Sequence, residues 1–74
     1  MTKYMATISV RVRRDEDQFV MEAISATMTT VIEADEKAEA YSRRKVAEKK
    51  FRDLGLGTVM DMPGATVAID TWRY

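Results

Sequence analysis

The chain has no cysteine and no histidine. Lack of cysteine removes disulfide support from a small core and makes a reducing, cytoplasmic setting the expectation. The two absences together exclude zinc sites of the common Cys/His type, cysteine nucleophiles and histidine-based triads. Proline occurs once and glycine three times, so linkers and low-complexity segments are missing. No apolar run approaches the ~18–20 residues that a membrane span needs, and no basic start with an apolar block marks a signal peptide. Phosphate-binding glycine patterns are missing as well. Gly55 and Gly57 in LGLG lack the third glycine and the strand–helix context of a dinucleotide loop. An enzyme would have to work with Asp, Glu, Lys, Tyr, Ser or Thr alone, and Asp61 and Asp70 share no metal-binding spacing. The expectation is a protein with no catalytic residues, no metal and no cofactor.

What is present reads as one small folded domain over residues 1–74. Its 46% hydrophobic and 32% charged residues are those of a globular protein. A chain of 74 residues lies near the lower limit for an independent core, so dimerisation or a bound partner would add stability. Tyr4 to Arg13 predicts a strand, with Ile8, Val10 and Val12 inward and Thr7, Ser9, Arg11 and Arg13 outward. The run Arg14-Asp15-Glu16-Asp17 predicts its end. Phe19 to Ala26 stays open: Val20, Ile24 and Met28, four apart, fit a helix face and a strand face equally well. Asp15-x-x-Gln18 resembles a capping box, and on that reading residues 15–25 form a short extra helix. Thr27 to Ala34, rich in Thr, Val and Ile, predicts a strand.

Asp35 then reads as the N-cap of a long helix over about residues 36–54, ended by Gly55. Acids (Glu33, Asp35, Glu36, Glu39) come first and bases (Arg43, Arg44, Lys45, Lys49, Lys50, Arg52) follow, an order that suits the helix dipole. Glu39→Arg43 and Glu48→Arg52 have the favourable i,i+4 spacing. Ala40, Ala47, Phe51 and Leu54 make the candidate core stripe. On the opposite side Tyr41, Lys45, Lys49 and Arg52 form a candidate partner-binding strip, suited to an acidic protein surface or a phosphate backbone. Alternatively, Tyr41 merely packs on lysine stems. Thr58–Met62 and Thr66–Tyr74 predict two strands joined by a Pro63-Gly64 turn. If Val67 and Ile69 face inward, Trp72 and Tyr74 form an exposed aromatic patch suited to a dimer or partner contact. The fold class is therefore α+β, a small antiparallel sheet packed on one long helix.

Two resemblances overlay this reading. Ile32-Glu33-Ala34, then Glu39-Ala40, then Gly57-Thr58-Val59-Met60 resembles the compact ββαββ pattern of very small phage-encoded inhibitors, including some anti-CRISPR proteins and inhibitors of host RNA polymerase. It implies a non-catalytic module that binds and inhibits or regulates a larger protein or ribonucleoprotein. Seventeen residues lie between Arg13 and Val31, which on that pattern calls for an extra turn or short helix between the first two strands. Ala6 to Val12 followed by Asp15-Glu16-Asp17 resembles the start of ribbon-helix-helix DNA-binding proteins. That resemblance implies a dimeric transcriptional regulator in which Thr7, Ser9 and Arg11 enter the major groove. The glycine-containing turn between that family's two helices has no counterpart here.

Overall fold

A computed structural model describes the backbone at residues 1–16 and 19–74, and the side chains at 1–13 and 25–74. Alternation along the N-terminal segment builds β1 (Thr2–Glu16), which includes Arg14, Asp15 and Glu16 of the charged run expected to end it. It pairs antiparallel with β2 (Phe19–Ala34) from Thr2↔Ala34 to Glu16↔Phe19, with a register shift at Val12/Arg13. The open segment 19–26 is thus strand, as are Asp15 and Glu16, and the extra helix over 15–25 is not formed. Gln18, on which the capping-box reading depended, lies outside the described residues. Pairing with β1 decides between two readings that local spacing leaves equal, since alternate residues of the segment take their backbone hydrogen bonds from β1. The long separation between Arg13 and Val31 needs no inserted element. It is filled by longer strands.

The third strand, β3 (Ala65–Arg73), pairs antiparallel with β1 on the other side, giving the order β2-β1-β3. Strands β2 and β3 therefore run parallel, with β1 between them. Strand β3 covers only Tyr4 to Val12 of β1. Beyond it the β1–β2 pair continues alone, and the molecule reaches 49 Å along its longest axis.

Between β2 and β3 lie α1 (Ala40–Phe51), a widened turn over Arg52–Leu56, and α2 (Gly57–Met60). Helix α1 starts later than expected. Asp35 does not cap it: the carboxylate accepts the Lys37 amide at 2.8 Å and the carbonyl accepts the Ala38 amide at 2.9 Å. These bonds close a turn. Glu39 is then extended (φ −70°, ψ 160°) and caps nothing with its side chain, and α1 has no acid in its first turn. Gly55, at φ +101°, reverses the chain as a C-terminal glycine should. The next residues are not a strand, however. Residues 57–60 make a helical turn because Leu56, Val59 and Met60 all reach the core. Val59 and Thr58 favour strands intrinsically, and packing overrides them. Pro63-Gly64 forms the expected turn, with the Ala65 amide on the Met62 carbonyl at 3.0 Å and Gly64 at φ +82°, but it joins helix to strand.

The core lies between one sheet face and the helix. Tyr4, Ala6, Ile8, Val10 and Val12 from β1 meet Ile32 and Ala34 from β2, Ala47 and Phe51 from α1, and Met60 from α2. Ala47 and Phe51 are fully buried as expected. Ala40 and Leu54 are not: both are exposed, Leu54 to 47%. The late start and the widened turn move the two ends of the expected stripe away from the sheet, and Ala38, Leu56 and Val59 take their place.

Candidate functional site

Three surfaces carry the residues singled out from the sequence. The first is the outer face of α1. Residues 40–51 hold five basic side chains against one acidic, in a chain whose formal net charge is zero. Two of the helix-region cations serve the fold. Arg43 donates to the Ala38 carbonyl (2.6 Å) and to Thr71 Oγ1 (3.2 Å), and its guanidinium lies 5.0 Å from the Tyr4 ring centroid. It braces the late helix start instead of pairing with Glu39.

Arg52 is the second. It makes a two-pronged contact with Asp61 (2.7 and 2.9 Å) and reaches Glu48 at 3.2 Å. The fork matches carboxylate geometry and ties the end of α1 to the segment after α2. Arg52 thus stands apart from the expected cationic strip, and reversing its charge would set three carboxylates together. Asp61 is held below the usual carboxylate range, chiefly by the hydrogen bonds from Arg52, with desolvation opposing and the Arg52 charge adding. A folded-state pKa below the unfolded one contributes stability above the ordinary carboxylate range, lost as pH falls through the folded value. Asp61→Asn is expected to lower the melting temperature slightly at pH 7 and to match the native chain near pH ~2. An equal difference at both pH values would mean that charge is not what the contact contributes.

Tyr41, Lys45 and Lys49 remain together on the exposed face, joined by Lys50 and Val46. Lys45 Nζ lies 4.9 Å from the Tyr41 ring centroid, so the tyrosine both packs on a lysine stem and meets its charge. Lys45, Val46, Lys49 and Lys50, with Asp53, line a shallow depression. Among the described residues no carboxylate lies within ion-pair distance of Arg44, Lys45, Lys49 or Lys50. Sequence reading missed Val46 and Lys50. Val46 lies i,i+3 from Lys49 and i,i+4 from Lys50, which would have placed both on this patch once the helix phase was known.

The second surface is the sheet face away from the helix. Across β2, β1 and β3 its rows read Glu33–Lys3–Tyr74, Val31–Met5–Trp72, Thr29–Thr7–Asp70, Thr27–Ser9–Ala68 and Ser25–Arg11–Thr66. Thr7, Ser9 and Arg11 do share this uncovered face, and Thr7 Oγ1 lies 3.1 Å from Thr29 Oγ1. They do not lie on a ribbon formed across a dimer. Strand β1 is central, with both edges taken by β2 and β3 of its own chain. Trp72 (45% exposed) and Tyr74 lie on or beside this face, while Ile69 packs on the core, as the alternation required.

The third is an open cleft between α1 and β3, lined by Arg44, Glu48, Arg52, Met60, Val67, Ala68 and Ile69. Among the described residues no group of three acidic side chains could hold a metal ion. None of the described helices is long and apolar enough to cross a membrane. Comparison with protein-family models, with curated proteins and with solved structures finds no match to this chain.

Proposed function

We propose that the protein is a non-catalytic binding module that inhibits or regulates a larger macromolecule by docking the outer face of α1 on an acidic surface. One observation carries this reading. Lys45, Lys49 and Lys50 lie on an exposed helix face with no ion-pair partner among the described residues, beside exposed Tyr41 and Val46. Holding like charges together costs stability unless an anionic surface offsets it. Tyrosine beside cations supplies rigid contact area at small entropic cost. The resemblance to phage-encoded inhibitors makes a nucleic-acid-processing machine the first partner class to assay.

The test is affinity capture from a host lysate with the native chain and with Lys45→Glu/Lys49→Glu, identifying retained proteins and nucleic acids. Neither lysine touches the core, so the unfolding curve of the variant should match the native one. A species that the native chain retains should be lost with the variant, and should also elute as salt rises to about 0.5 M. Retention of the same species by both would overturn the reading. Arg11→Ala provides the contrast. If it alone abolishes binding to a duplex, the reader is the sheet face with Thr7, Ser9 and Arg11, and the protein is a DNA-binding regulator.

A further inference from the structure

Strand β3 is an edge strand, and its outer edge is unevenly occupied. Gly64 and Tyr74, one at each end, bond to β1: the Arg13 amide donates to the Gly64 carbonyl and the Tyr74 amide to the Lys3 carbonyl, each at 3.3 Å. In an antiparallel ladder these bonds fall on alternate residues. The even-numbered residues of β3 therefore face β1, and Ala65, Val67, Ile69, Thr71 and Arg73 aim their amides and carbonyls outward. Two of those amides are already engaged. The Ala65 amide donates to the Met62 carbonyl (3.0 Å) and the Thr71 amide to Asp70 Oδ1 (3.0 Å). Between them, Val67 and Ile69 offer outward donors and acceptors with no such partner among the described residues.

The same two side chains are incompletely covered. Both point to the helix side, opposite Val10 and Ile8, which are fully buried. Val67 is nonetheless 38% exposed and Ile69 only partly buried, because the cleft beside α1 leaves them open. Protection is confined to one end of this edge: residues 65–73 contain no proline and no lysine, and the charged Asp70 and Arg73 both lie beyond Ile69.

We infer that a second copy of this chain pairs with the outer edge of β3, antiparallel and across a two-fold axis at Ala68, to make one continuous sheet. In that register Val67 faces Ile69 of the other copy and Ile69 faces its Val67. Each such pair exchanges two backbone bonds, so the unengaged donors are the ones used. The engaged Ala65 and Thr71 amides fall at the ends of the pairing. Small Ala68 meets itself at the axis, and Thr66 meets the carboxylate of Asp70. A register centred one pair further, on Asp70, would set two carboxylates against each other. A two-fold contact must also suit itself. The cleft wall does so, since Arg44 and Glu48 place both signs of charge on the flank that each copy presents. Only a short strand edge and two apolar pairs are covered, below the size of a standard stable interface.

Sedimentation equilibrium from about 10 µM to about 1 mM tests this, with a dissociation constant on the order of 10–100 µM expected for so small an interface. Ala68 is exposed on the uncovered sheet face, so Ala68→Glu and Ala68→Lys should fold normally, as circular dichroism would verify. Each variant alone should dimerise at least about tenfold more weakly, because like charges then meet at the axis. Mixed one to one, the two should recover association as a heterodimer. Amide exchange should slow at Val67 and Ile69 with concentration, and stay unchanged at Ala65 and Thr71. A monomer at 1 mM overturns the inference and leaves the edge to a strand of some other protein. So does a dimer indifferent to the charges at Ala68.

Discussion

Phe51→Ala is expected to destabilise the protein by about 3–5 kcal/mol, the usual cost of removing a fully buried aromatic and leaving its cavity. Phe51 has no exposed surface and belongs to a core of ten buried hydrophobic residues among those described. The β1 residues of that core cannot move in to fill the space, because they are held in a ladder on both sides. A domain of this length has a total stability of roughly 4–11 kcal/mol, so the variant would be close to its unfolding threshold at room temperature. Urea unfolding followed by circular dichroism would measure it. Leu54→Ala is the matched control. Leu54 was expected on the same stripe but is 47% exposed, and its loss should cost less than about 1 kcal/mol. Comparable losses in the two variants would mean that the phase of α1 on the sheet is wrong.

Gly64→Ala is expected to cost about 2–4 kcal/mol, through strain and steric overlap at one position. A Cβ at residue 64 would lie 2.5 Å from the Arg13 carbonyl oxygen, which is backbone and cannot turn aside. The φ of +82° is unfavourable for any L side chain in addition. Relief requires the turn to move away from β1, which breaks the bond from the Arg13 amide to the Gly64 carbonyl and unzips the start of β3. Gly55→Ala separates the two causes. Gly55 also has positive φ (+101°) but nothing within 4 Å of its Cβ position, so its variant should show the strain alone. A Gly64→Ala variant no worse than Gly55→Ala would show that the overlap is absorbed cheaply.

These contrasts mark where local sequence and tertiary packing part. The expected strip of Tyr41, Lys45, Lys49 and Arg52 was half a matter of helix phase and half of long-range pairing. Tyr41, Lys45 and Lys49 stay exposed because residues four apart share a face whatever surrounds the helix. Arg52 leaves the strip because Asp61, nine residues on, is folded back against it by the reversal at Gly55. No spacing rule along one helix anticipates a partner beyond its end. Asp35 is a similar case. Its local grammar is that of an N-cap, and its own bonds are satisfied as a turn instead, while Arg43 and Tyr4 fasten the following segment to the sheet.

The sequence by itself determined the α+β class, the inward face of β1, the strand character of residues 27–34, the type of turn at Pro63-Gly64 and the burial of Ala47 and Phe51. Each rests on a period or a backbone preference that operates within a few residues. Only the tertiary structure decided the length of β1 and β2, the fate of residues 19–26, the helical turn at 57–60, the start of α1 and the pairing of Arg52. In each of these the local preference was balanced or overridden, and the deciding energy was a hydrogen bond or an apolar contact with a residue outside the element itself.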